Sequence, residues 1–154
     1  MGSAAVGGGA RTSPRRSLIG AAGLAIAVLT GCGGPLTEGG VTILRYGPMD
    51  GGPTALAHGE LAFRDGCVVL LETTQELMVE RSTILWPAGT DLRRVGSELF
   101  VVLGGVGATE GNKITLGGGE QVDQAFVERL VGPVGACGAE RYWMATSLEV
   151  VAQR

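Results

Sequence analysis

A chain of 154 residues has room for one domain and a leader, and its mean hydropathy of +0.28 is high for a protein free in water. Part of that excess belongs to one N-terminal apolar run, and no other stretch approaches the roughly 18 apolar residues that cross a bilayer. All 15 acidic residues lie beyond that run, and setting aside Arg11, Arg15 and Arg16 from 12 basic residues leaves nine, a net charge of −6 that excludes phosphate-led nucleic-acid binding.

In chain order, basic Arg15-Arg16 comes first, then apolar Leu18 to Leu29, then Leu29-Thr30-Gly31-Cys32. This is the plan of a signal peptide, and the apolar run, broken by Gly20 and Gly23, is too short for a transmembrane helix. The last four residues resemble the lipobox of bacterial lipoproteins: a leucine, two small residues and a cysteine. The resemblance implies cleavage before Cys32, removal of 1–31, and a diacylglyceryl thioether on Cys32 with palmitate-type chains. Two acyl chains suffice for stable anchoring, at about 0.8 kcal/mol per buried methylene. The expected location is then the extracytoplasmic face of the cell membrane. An ordinary secretory leader with an incidental Cys32 is the alternative. Arg15-Arg16-Ser17-Leu18-Ile19 looks like a twin-arginine signal, although Pro14 sits awkwardly before it, so general secretory and twin-arginine export both stay open.

From Cys32 to Ala57 the composition is Gly, Pro and Thr, broken by Val41 to Leu44. It reads as a flexible tether with one short strand, and His58 at its end reads as a solvated side chain. The body, 58–154, then runs as short strands between turn signals. Leu61 and Phe63 alternate within Gly59 to Arg64; Asp65-Gly66 signals a type I′ hairpin; Cys67 to Glu72 returns as an apolar strand. Leu77 to Val79, Ser82 to Trp86, Glu98 to Leu103, Val106 to Ala108, Lys113 to Leu116 and Tyr142 to Val151 follow, with Gly117-Gly118-Gly119 read as a strand end. One segment has another period: Val122, Phe126 and Leu130, spaced by four with Ala125 alongside, predict a short helix stopped by Gly132-Pro133. The expected class is mainly β: a small barrel or strongly curved antiparallel sheet, OB-like in the leading version, with one short packing helix.

Lipid on Cys32 leaves Cys67 and Cys137 as an even pair in an oxidising compartment, 70 residues apart, which predicts a structural disulfide. A redox pair or metal ligands are the alternatives, but no C-x-x-C is present and His58 is the single histidine. No zinc, Walker A, dinucleotide or G-x-S-x-G motif occurs, so no metal, cofactor or catalytic residue is expected. A carboxylate pair of the glycosidase kind is not visible in sequence and stays open. Trp86, Tyr142 and Trp143 are the candidate binding aromatics for a glycan or peptide, set against a role as core residues where strands end.

Together, Gly59-Glu60-Leu61, Asp65-Gly66-Cys67, Leu85-Trp86-Pro87-Ala88-Gly89, Gly117-Gly118-Gly119, Cys137 and Tyr142-Trp143 resemble a group of small exported actinobacterial-type lipoproteins of unknown function. Their pattern has a paired Cys, a W-P-x-G turn and a C-terminal Y-W. The resemblance covers about residues 59 to 147, implies the disulfide, and brings no activity with it. The function expected is that of a membrane-anchored cell-envelope lipoprotein with a non-enzymatic binding or structural role toward an unknown envelope protein or ligand. The alternative is a small cell-wall-acting hydrolase using carboxylates.

Overall fold

The computed structural model describes residues 33–73 and 79–152; the expected leader, Cys32 and most of the strand expected at Leu77 to Val79 lie outside the described residues. Tight turns set the strand pairs. β1 (Leu36–Glu38) joins β2 (Val41–Tyr46) through Gly39-Gly40, β3 (Ala55–Arg64) joins β4 (Cys67–Thr73) through Asp65-Gly66, and β7 (Glu98–Leu103) joins β8 (Val106–Thr109) through Gly104-Gly105. All six turn residues have positive φ, the backbone that two-residue I′ hairpins need.

The remaining elements are β5 (Val79–Pro87), β6 (Asp91–Val95), β9 (Lys113–Gln121), α1 (Gln124–Val131) and β10 (Tyr142–Val150). A ring closes through β5, β10, β9, β3 and β4, because β4 pairs back onto β5 at Val69–Thr83 through Thr73–Val79. β2 enters where β4 and β5 splay apart, meeting Cys67 on one side and Leu85 to Pro87 on the other. Counted from β3, the ring order is first, second, third, fifth, fourth, with a parallel pair between third and fifth (β5 and β10), an OB-like order. The expected small barrel with one short helix is thus present, and its sheet is mixed: β10–β5, β2–β5 and β2–β4 are parallel.

Side-chain alternation explains which strands are apolar on both faces. Ile43, Leu70, Ile84 and Trp86 point into the barrel, while their neighbours Leu44, Val69 and Leu85 point outward into a second buried layer. Each such residue contributes roughly 1.5–3 kcal/mol by leaving water. The outer layer is roofed by α1, which lies on the barrel wall. The interior is covered instead by the small sheet β6–β7–β8, whose Leu92, Leu99, Val101 and Ala108 join the inner core. β6 carries Arg93-Arg94 on an exposed face and has no apolar period, so the sequence pattern does not announce it.

Three expectations are corrected. The expected tether of 32–57 holds β1, β2 and the start of β3, and Ile43, Leu44 and Tyr46 are core residues; its Gly and Pro make turns, not a spacer. The helix buries Val127 and Val131, with Phe126 and Leu130 half-buried, whereas Val122 is 69% exposed and precedes the helix. Asp123 decides that start, its carboxylate accepting from the Phe126 N–H at 3.1 Å as an N-cap. Finally, Gly117-Gly118-Gly119 does not end a strand but runs through the middle of β9. A β-carbon on Gly118 would collide with the Met144 carbonyl, and one on Gly119 with Pro53, so the glycines permit close approach of neighbouring backbone.

Candidate functional site

The predicted site residues that the structure describes are all buried. Cys67, opening β4, and Cys137, in the 3-10 turn Gly135–Cys137, form a disulfide with a Cα–Cα distance of 5.5 Å. Both are buried in the outer layer beneath α1, which pins the connection between α1 and β10 to the barrel. Trp86 and Tyr142 are fully buried and Trp143 is 7% exposed, so the three form no surface platform. Tyr142 acts structurally, its hydroxyl oxygen accepting from the Ala139 N–H at 3.0 Å. The indole N–H groups of Trp86 and Trp143 are buried without a hydrogen-bond partner.

Two surfaces that sequence reading did not single out take their place. The first is a polar groove of roughly 530 Å³ between Asp65, Glu80-Arg81 and the segment 136–141. Arg141 stands at its edge and pairs with Glu80 and, at 2.7 Å, with Glu120; Arg81 pairs with Asp65 at 2.9 Å. Glu72 lies directly across from Glu80 in the β4–β5 register. Burial pushes the Glu72 carboxyl above the ordinary carboxylate range; the Glu120 charge adds to this, while Arg141 and His58 oppose it. His58 is an exposed residue of β3 with Nδ1 2.9 Å from the Thr115 hydroxyl, not part of a tether. Among the described residues, no group of His, Cys, Asp and Glu is arranged to hold a metal ion.

The second surface is apolar. Tyr46, the loop 47–53, Pro87-Ala88-Gly89 and Met144 enclose a cavity of roughly 430 Å³. Tyr46 builds one wall: its hydroxyl donates to the Ala145 carbonyl at 2.6 Å, and burial raises the pKa of that hydroxyl. Arg45 braces the rim, with its guanidinium 3.2 Å from the Gly34 carbonyl and 3.4 Å from that of Thr90. Gly33 packs so closely on Arg45, Tyr46 and Gly47 that a β-carbon there would meet their backbone at 2.5 Å.

The signal for the apolar cavity was present in sequence as Pro48 and Pro53 flanking Gly51-Gly52, but the same residues read equally well as a linker. The polar groove had no local signal, because Arg141, Glu80 and Glu120 come from three places in the chain. No family model, no curated protein and no solved structure matches the chain. What the geometry offers chemically is a charged groove with both its arginines engaged, one nearby carboxyl whose pKa burial raises, and an apolar cavity at the opposite end of β5.

Proposed function

We propose that this chain is a lipid-anchored cell-envelope protein, cut before Cys32 and held by lipid on that cysteine at the extracytoplasmic face of the membrane. Its barrel has a non-enzymatic binding or structural role there. One observation carries the reading: the lipobox Leu29-Thr30-Gly31-Cys32 is followed at once by Gly33, already packed against Tyr46-Gly47 of the barrel. The folded body thus begins one residue beyond the expected lipid. The Cys67–Cys137 disulfide supports an oxidising compartment, and it leaves Cys32 as the one cysteine outside the bridge. The resemblance to small actinobacterial-type lipoproteins supports the same reading.

The polar groove is the surface this reading offers to an envelope protein or ligand. Its ion pairs are exchangeable contacts: a partner bearing both charges can replace Asp65 on Arg81 without leaving either charge bare. A hydrolase using carboxylates is the second reading, and Glu72 favours it, because burial raises its carboxyl pKa in the direction a general acid needs. Its neighbours Glu80 and Glu120 are both held by Arg141, which argues for binding over catalysis.

Cell fractionation tests the anchor. Wild-type protein is expected in the membrane pellet and Cys32→Ala in the soluble fraction. A Cys32→Ala protein that stays in the pellet contradicts the proposal.

A further inference from the structure

The expected tether is a set of strands, and this has a consequence for how the protein meets the membrane. We propose that the end of the barrel formed by Tyr46, the loop 47–53 and Pro87-Ala88-Gly89 is seated on the lipid bilayer, with Met49 and Pro48 at headgroup depth and the apolar cavity facing lipid. The inference rests on lipidation of Cys32 and adds to it an orientation and a contact surface.

Three observations carry it. The first is reach. Consecutive Cα atoms are about 3.8 Å apart, so the Cα of Cys32 lies within one such step of Gly33. Gly33 is packed on Tyr46-Gly47, and Arg45 ties the next residue, Gly34, to Thr90. There is no free chain to pay out, so a lipid on Cys32 can enter a bilayer only if this end of the barrel is beside it.

The second is charge. From Tyr46 to Ala57 the single charged residue is Asp50, and from Trp86 to Thr90 there is none. The mature chain as a whole carries −6, and anionic headgroups repel such a body. This end brings only one carboxylate, Asp50, toward the bilayer. The charged residues Glu72, Glu80, Glu120 and Arg141 gather at the other end of β5, seven residues from Pro87.

The third is the apolar surface itself. Met49 is 43% exposed, Pro48 is exposed, and the cavity behind them is lined by Tyr46, Pro53, Pro87 and Met144. Two exposed apolar residues at the mouth of an apolar cavity give acyl chains a surface to meet.

The test uses the full-length lipidated protein in vesicles of phosphatidylethanolamine and phosphatidylglycerol, with an environment-sensitive fluorophore on Met49→Cys, on Asp50→Cys, or on Ser97→Cys in the β6–β7 turn. Lipids carrying a quencher near the headgroup are added. The 49 and 50 labels are expected to be quenched at least twofold more than the 97 label, and the second position keeps the test valid if one variant misfolds. Labels at 49 and 50 quenched no more than that at 97, in protein retained on the vesicles, overturn the seating while leaving the lipid anchor standing. Labels shielded from water but untouched by lipid quencher indicate a protein partner on this face and also overturn it. Protein that washes off the vesicles with an unmodified Cys32 overturns the anchor and the seating together.

Discussion

Glu72 shows how a single side chain reports on its surroundings. Its folded-state carboxyl holds a proton more tightly than in the unfolded chain, chiefly through burial. A proton bound more tightly by the folded state means that stability falls as pH rises through the window from the unfolded pKa to the raised one. Glu72→Gln removes the ionising group, so the variant should match or trail the wild type at acid pH and gain on it above that window. The gain should stay below about 1 kcal/mol because the site is partly solvated. Thermal melts of both proteins from pH 4 to pH 8 check this, and a difference that does not change with pH contradicts it. The same residue marks where sequence reading stopped. Glu72 was legible as the end of an apolar strand, but the Glu80, Glu120 and Arg141 around it are brought together only by strand register. The aromatic residues teach the converse. Trp86, Tyr142 and Trp143 were legible as strand ends, and in a chain with only 5% aromatics they are consumed by the core.

Among the elements, those built on local signals were the readable ones. Asp65-Gly66 marks a hairpin through φ, and Gly132-Pro133 stops α1. Where an element depends on tertiary contact, the pattern was ambiguous. Residues 32–57 read as a flexible tether with one short strand at Val41 to Leu44; that strand is β2, but the Gly- and Pro-rich turns around it hide that it belongs to the core. The helix stripe was misplaced because Val122, Phe126 and Leu130 keep a period of four that is displaced from the buried pair Val127 and Val131. Stability separates the two stripes: Val127→Ala should cost about 1.5 kcal/mol or more, and Val122→Ala less than about 0.5 kcal/mol, in urea unfolding. Equal costs would contradict the packing described. The disulfide acts at the same scale, joining β4 to the segment before β10 across 70 residues. Reduction, or Cys67→Ser with Cys137→Ser, should lower stability by roughly 4 kcal/mol on the chain-entropy account. Loss of less than about 1 kcal/mol in the same denaturant series contradicts that role.

At the scale of the molecule, one barrel carries two ends of different character. The apolar end collects Tyr46, Met49 and Pro87 beside Gly33, and the polar groove collects Arg81 and Arg141 with their carboxylates. β5 links them, its Pro87 at one and its Glu80-Arg81 at the other. On the proposed lipid attachment at the apolar end, a body polarised in this way would present its groove outward. Everything in that arrangement depends on the chemistry of residue 32. The most direct measurement is the mass of the N-terminal peptide of protein extracted from the membrane of the cells that make it. The account predicts a chain that begins at Cys32 and carries a diacylglyceryl thioether on its sulfur. A peptide that retains residues 1–31, or one that begins at an unmodified Cys32, would contradict it.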